Sequence, residues 1–193
     1  YYLWLGVKKD YKIARDYFQA SASHLNMKAH YYLGRIFEKG EGINIDLTRA
    51  IEFYSVCANN YSEIFINYIA SGWDEDSHIN KYYYTANNDL GLIYINNVEY
   101  KNMEKAYDYL KISGFSDYPF GKNSLGLFFE LHFKKKERAI QLLEVAAKNN
   151  FALSEFNLAR IYENDEKNHD KSIQYLCKVV QHENDPLTFL NHF

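Results

Sequence analysis

Tyr31-Tyr32-Leu33-Gly34-Arg35-Ile36-Phe37, then Gly40-Glu41-Gly42-Ile43-Asn44-Ile45-Asp46, then Arg49-Ala50-Ile51-Glu52-Phe53-Tyr54, is the stretch that decides the fold. Its two flanks recur along the chain. The first returns as Asp89-Leu90-Gly91-Leu92-Ile93-Tyr94 and Ser124-Leu125-Gly126-Leu127-Phe128-Phe129, and with Ala for Gly as Asn157-Leu158-Ala159-Arg160-Ile161-Tyr162. Trp4-Leu5-Gly6 is a truncated copy. The second pairs a basic residue with a small one at Arg49-Ala50, Lys105-Ala106, Arg138-Ala139 and Lys171-Ser172, and is preceded by Ile13-Ala14-Arg15-Asp16-Tyr17-Phe18. Ala14 to Ala50 is 36 residues, while Ala106 to Ala139 and Ala139 to Ser172 are 33 each. Such periods belong to two-helix repeats. Within a copy the apolar positions fall at helical spacing, as in Ala139, Leu142, Leu143 and Ala146. Gly34, Gly91 and Gly126 therefore sit inside helices, where Gly costs about 1 kcal/mol against Ala. Close approach of the paired helix is the expected compensation.

Composition agrees with a packed helical chain. Apolar residues make up 47% and aromatics 18%, enough to fill a core, and Pro119 and Pro186 are the only prolines to interrupt helices. A net charge of −3 argues against a general nucleic-acid binder. No apolar run approaches the roughly 20 residues of a membrane span, so no membrane insertion is expected. Cys57 and Cys177 are too few for a disulfide framework and read as small buried residues of a reduced compartment. The chain opens at Tyr1 without an initiator Met, which suggests a longer parent. A cytoplasmic location is the default reading, and a secreted or periplasmic one stays open should a signal have been removed.

Ala29, Leu33-Gly34, Phe37, Gly40-Glu41-Gly42-Ile43, Asp46, Arg49-Ala50, Phe53-Tyr54 and Cys57-Ala58 resemble the Sel-one-like repeat, a relative of the tetratricopeptide repeat. In the loop, glycines supply positive φ and Asp46 suits the cap of the next helix. The units near Leu125 and Leu158 lack the Gly-x-Gly loop and shorten to tetratricopeptide length. The resemblance implies an all-α, right-handed α-α superhelix, an α-solenoid of about five helix-turn-helix repeats forming a single domain over 1–193. Its poor stretch is the 56-residue interval from Ala50 to Ala106. A degenerate unit around 61–84 is expected there. Ile64 to Gly72 would be its first helix, Trp73 to His78 its loop, and a shortened second helix would follow near Lys81-Tyr82-Tyr83. Asp185-Pro186 would open a terminal capping helix, 186–193.

No motif points to catalysis. The histidines form no His-Glu-x-x-His pattern, there is no Cys-x-x-Cys pair, and neither a phosphate-cradling Gly-rich loop nor Gly-x-Ser-x-Gly occurs. The chain is expected to be no enzyme, with no catalytic residue, metal ligand or cofactor. Asp74-Glu75-Asp76 reads as a solvated turn rather than a cation loop. Lys134-Lys135-Lys136-Glu137-Arg138 reads as a charged turn between the helices of a unit. The Asn60-Tyr61-Ser62 sequon carries no weight by itself. Tyr31-Tyr32 and Tyr82-Tyr83-Tyr84 read mainly as packing between helices.

In tetratricopeptide-like arrays the concave face of the first helices is the usual ligand groove. Placing each Leu-Gly at one helical position selects Lys28, Tyr31, Arg35 and Glu38 in one unit, Asn88 in the next, Asn123 and Glu130 in the third, and Phe156, Arg160 and Glu163 in the last. This mixture suits an extended peptide, and equally a plain solvated face. The resemblance implies a protein-protein interaction scaffold or adaptor whose partner is a protein or peptide. A cell-envelope or secreted binder of peptidoglycan or host protein is the alternative, as is the regulatory repeat region of a larger enzyme. Oligomeric state stays open, because an uncapped repeat at either end would stack copies.

Overall fold

The structure, a computed structural model, describes residues 10–22, 26–59, 78–163 and 168–183. Those residues contain nine helices and no strand. They are α1 (Tyr11–Ala22), α2 (Met27–Lys39), α3 (Leu47–Asn59), α4 (His78–Asn96) and α5 (Met103–Gly114). Four more follow: α6 (Pro119–Leu131), α7 (Lys136–Lys148), α8 (Ala152–Glu163) and α9 (His169–Glu183). None is long and apolar enough to cross a membrane. The Trp4-Leu5-Gly6 copy, the Asn60 sequon, the expected helix at 64–72, the Asp74–Asp76 turn and the capping helix at 186–193 lie outside the described residues.

The chain divides into two compact units, Tyr1–Ala106 and Tyr107–Phe193, with the division inside α5. In the first unit α2 packs on α1, α3 and α4, and α3 also packs on α4. Ala14 and Ile36 are buried together against Tyr11, Phe18, Tyr32 and Ile43. In the second unit α6 pairs with α7, α8 with α9, and α7 with α8. Leu143, Ala147, Leu158, Ile161 and Tyr162 form the centre of that packing, with Ile140 and Tyr175 against it.

The helix pairs are closed by one recurring device. The residue at the start of the second helix sends its backbone N–H to the carbonyl of the aromatic that ends the first. Asp46 does so to Phe37 at 2.9 Å, Asn102 to Tyr94 at 2.9 Å and Lys135 to Phe129 at 2.9 Å. Four residues later Ala50, Ala106 and Ala139 are fully buried. Asp46 Oδ1 and Asn102 Oδ1 also cap their helices, each accepting from a backbone N–H at 3.0 Å. The basic residue before the small one lies over the ring of the first helix: Arg49 over Phe37 at 5.2 Å, Lys105 over Tyr94 at 5.4 Å and Lys171 over Tyr162 at 5.1 Å. Gly40 and Gly42, at φ 68° and 74°, make the longest of these turns.

The structure departs from two expectations. There is no separate short helix near Lys81-Tyr82-Tyr83, because α4 runs unbroken from His78 through Leu90-Gly91 to Asn96. No Gly or Pro lies between Lys81 and Leu90 to stop it. The polar side chains there bond back onto the helix, Thr85 Oγ1 to the Lys81 carbonyl at 2.6 Å and Asn87 Nδ2 to the Tyr83 carbonyl at 2.8 Å. Cys57 is buried, donating to the Met27 carbonyl at 3.4 Å, and burial pushes its thiol up to about 12. Cys177, by contrast, is exposed, on a face of α9 where Ile173, Leu176 and Val180 are exposed as well.

Gly34 gives the close-approach expectation a number. A Cβ there would lie 2.6 Å from the ring of Tyr54, a residue with no solvent exposure. At Gly126 the nearest atoms would be Leu143 Cγ at 3.1 Å and the Ala139 carbonyl oxygen at 3.3 Å, a looser fit than at Gly34. Gly34→Ala is therefore predicted to destabilise the chain by about 1–3 kcal/mol of overpacking, outweighing its helix-propensity gain of about 1 kcal/mol. Gly126→Ala is predicted to be near neutral. Chemical unfolding of both variants checks this, and a Gly34→Ala chain more stable than wild type would remove the close approach from the account.

Candidate partner-binding face

Lys28, Tyr31, Arg35 and Glu38 recur at three- and four-residue spacing, so they form one stripe along α2. Lys28 is exposed, Arg35 and Glu38 are half-buried, and Tyr31 is buried. The stripe borders α4, where the Tyr31 hydroxyl donates to Asp89 Oδ2 at 3.2 Å. Asn88, also buried, donates through Nδ2 to Asp89 Oδ1 at 3.2 Å, while its own Oδ1 has no partner among the described residues. Glu38 accepts from the Tyr54 hydroxyl at 2.7 Å and pairs with Lys39 at 2.6 Å. The ring of Tyr31 lies 5.5 Å from that of Tyr82 and 5.7 Å from that of Tyr54.

This is an electrostatically loaded cluster. Burial, reinforced by the Glu38 carboxylate, raises Asp89 from 3.8 to about 6. The hydrogen bonds from Asn88 and Tyr31 and the charge of Arg35 act in the opposite direction without cancelling it. Burial and the neighbouring carboxylates push the phenols of Tyr31 and Tyr54 far above their usual range, so both stay neutral donors.

In the second unit the expected residues fall on α6 and α8. Asn123 is buried, and its Oδ1 accepts from Ser154 Oγ at 3.0 Å and from Asn157 Nδ2 at 2.9 Å. Glu130 pairs with Arg160 at 2.5 Å. Phe156 and Glu163 are exposed. The two asparagines of this set, Asn88 and Asn123, are thus buried, and Asn123 joins two first helices. Seven of the ten, namely Lys28, Arg35, Glu38, Glu130, Phe156, Arg160 and Glu163, keep surface in solvent.

Reading one helical position alone passed over Asp89, Ser154 and Asn157. The signal was one residue away. Counting from the repeated Leu, the residue two before it in one copy meets the residue one before it in the next, as Tyr31 meets Asp89 and Asn123 meets Asn157. A separate cleft of about 670 Å³ lies among Arg15, Gln19, Asp46, Thr48, Arg49 and Tyr100. It is built from second helices, loops and Phe37 of α2, its arginines pair with Asp16 and Asp46, and it includes none of the ten residues. Among the described residues no group of His, Cys, Asp and Glu converges as a metal site.

Two predictions come from these charges. Because the folded chain raises Asp89, the group stabilises the fold below about pH 4 and loses that contribution as pH rises through about 6. The difference from 3.8 is worth at most about 3 kcal/mol, and solvent screening at a half-buried carboxylate reduces it to about 1 kcal/mol. Asp89→Asn is predicted to raise stability by about that amount at pH 7.5 and to leave it unchanged at pH 4, read from unfolding curves at the two pH values. In the second unit Glu155 is 2% exposed and its Oε2 lies 2.9 Å from His182 Nε2. The contact is an ion pair only when the imidazole is protonated, and it lacks hydrogen-bond alignment. His182→Ala should destabilise the chain by leaving the buried carboxylate without its neighbour, and adding Glu155→Gln should recover most of the loss, read from unfolding curves.

The Sel1 repeat model matches residues 1–24, 28–56, 125–151 and 152–178, more than half of the chain. The long unmatched interval contains most of the stretch between Ala50 and Ala106. Among solved structures, c5321, a protective antigen present in uropathogenic Escherichia coli strains and displaying an SLR fold, superposes with a TM-score of 0.73 at 22% identity. That match covers 92% of this chain and 35% of the other. A Sel1 repeat protein from Oxalobacter formigenes gives a TM-score of 0.69 at 20% identity, covering 93% of this chain and 66% of that one. The chain therefore spans about a third and about two thirds of the lengths of these two proteins, and the likeness is one of fold. No curated protein gives a significant match. The 33- and 36-residue periods, the Gly-x-Gly turn, the paired-helix packing and these matches converge: the chain belongs to the Sel1 repeat family and has its all-α helical-repeat fold.

Proposed function

We propose that this chain is a protein-protein interaction scaffold that holds an extended segment of a partner against the faces of its first helices. Sel1 repeats typically mediate protein-protein interaction, and the family is generally non-enzymatic. The observation that carries the reading is the composition of those faces. Lys28, Arg35 and Glu38 in the first unit and Glu130, Phe156, Arg160 and Glu163 in the second leave charge and one large aromatic in solvent. The neighbouring positions Tyr31, Asn88 and Asn123 are buried, and Tyr31 and Asn123 tie first helices to one another. Phe156 is 49% exposed on a helix that also exposes Leu153, while its Leu158, Ile161 and Tyr162 are buried. An exposed aromatic beside Arg160 fits the residue types that anchor interfaces.

Lys28 and Phe156 are the residues to alter, because Arg160 and Glu38 also serve the fold through their pairings. Quantitative capture from lysate should show a partner retained by the wild-type chain and reduced at least tenfold by the Lys28→Glu, Phe156→Ala double variant. A control, Lys111→Glu on the second helix α5, should capture as the wild type does. Equal capture by all three, with equal helicity, would move the site away from the first-helix faces.

A further inference from the structure

The first-helix faces of the two units share a pattern and differ in charge. Aligned on the repeated Leu-Gly or Leu-Ala, Glu38 corresponds to Glu130, and the position of Arg160 in the next copy corresponds to Leu92. In the second unit Glu130 receives the Arg160 guanidinium at 2.5 Å. In the first unit the corresponding residue is Leu92, so this position supplies no cation to Glu38. The next helix supplies a second carboxylate instead, because Asp89 stands where the second unit has the neutral Asn157.

Three further observations mark the first of these places as short of donors. Glu38 is held by Lys39, a side chain that is 55% exposed, and by the Tyr54 hydroxyl. Asp89 accepts only neutral hydrogen bonds among the described residues, from Tyr31 and Asn88. Arg35, on the same row as Arg160, acts on Asp89 through space. The Asn88 side chain is 6% exposed and lies against that carboxylate, yet among the described residues its Oδ1 accepts nothing, whereas the corresponding Asn123 Oδ1 accepts two hydrogen bonds. A buried acceptor without a donor is costly. The rings of Tyr31, Tyr32 and Tyr82 lie within 5.5–6.1 Å of one another beside the cluster, with Tyr32 and Tyr82 half-buried. Acceptor oxygens next to aromatic faces suit a cation with several N–H donors.

We propose that the Asp89–Glu38 cluster, with the Asn88 amide oxygen and the Tyr31 and Tyr82 rings, receives an arginine or lysine side chain of the bound partner segment, taking in trans the cation that Arg160 supplies in cis in the second unit. The inference rests on the scaffold reading above and narrows it to a basic peptide. A guanidinium offers five donors in a fixed fork and matches the paired acceptors best, and an ammonium fits the same oxygens as a point charge.

Leu92→Arg and Asp89→Asn test this from opposite sides, the first installing the missing cation and the second removing its counter-charge. A display library of random dodecapeptides selected on the whole wild-type chain at pH 7.4 should enrich arginine or lysine several-fold at one position. The selected peptides, measured by fluorescence anisotropy, should bind each variant at least tenfold more weakly, with unchanged affinity for Lys111→Glu. Circular dichroism confirms that all the chains are equally helical. Selection of peptides with no basic preference, or binding indifferent to both variants, would overturn the cation site and leave the scaffold reading standing. No enrichment on the wild-type chain would overturn the scaffold reading, and the cation site with it.

Discussion

The second helix of each pair lies close enough to the first that one residue there must be small. Ala50, Ala106 and Ala139 have no solvent exposure, and Ser172, in the fourth copy, is 3% exposed with its Oγ donating to the Ala159 carbonyl at 2.9 Å. Opposite them Gly34 and Gly126 leave no room for a methyl group without movement. Close helices place the aromatic end of the first helix over the start of the second, which fixes where the turn hydrogen bond forms. They also set the Arg or Lys before the small residue on an aromatic ring in three of the copies. The basic-small dipeptide of the sequence is thus one packing motif read from two sides, a ring covered by a cation and a backbone approached by a small residue.

That constraint explains why the loop can vary while the pair does not. Phe37 to Asp46, Tyr94 to Asn102 and Phe129 to Lys135 differ in length, yet each closes through an N–H to carbonyl bond of 2.9 Å. Only the longest uses two glycines at positive φ. The shortest places Lys134, a non-glycine residue, at φ 55°, a conformation that costs little enough for one residue in a tight turn. Loss of the Gly-x-Gly signature after the second copy therefore marks a shorter turn, not a lost repeat.

Much of this was legible in the sequence because repeat packing leaves a small alphabet at fixed intervals. The helical period, the interior glycines, the Asp46 cap and the charged turn at Lys134–Lys136 all follow from local rules. Where the reading missed, the deciding physics was not local. α4 runs unbroken through Lys81-Tyr82-Tyr83 into Leu90-Gly91, and the degenerate pattern there gives no sign of where one helix would stop and another begin. Cys177 has the same small apolar character as Cys57, and only the packing of α9 separates an exposed thiol from a buried one. On the candidate face the alignment selected one position of each first helix and not its neighbour. Two helices meeting side by side read two adjacent positions, so Asp89 and Asn157 are found only once the partner helix is placed.

Separating positions that hold the helices from positions that face outward is what lets a repeat chain change its ligand without changing its fold. In the second unit Asn123, Ser154 and Asn157 join α6 to α8 by neutral hydrogen bonds, and Glu130 and Arg160 cancel each other. The first unit joins α2 to α4 through Tyr31 and Asp89, so the tie itself carries a charge. Such a tie is weaker for the fold above pH 6, where the carboxylate must ionise in a half-buried site. A neutral asparagine, as used at Asn157, would serve the fold better. That a carboxylate stands there instead places a local cost on stability at a position facing the neighbouring first helix, and costs of this kind gather where a chain meets its ligand.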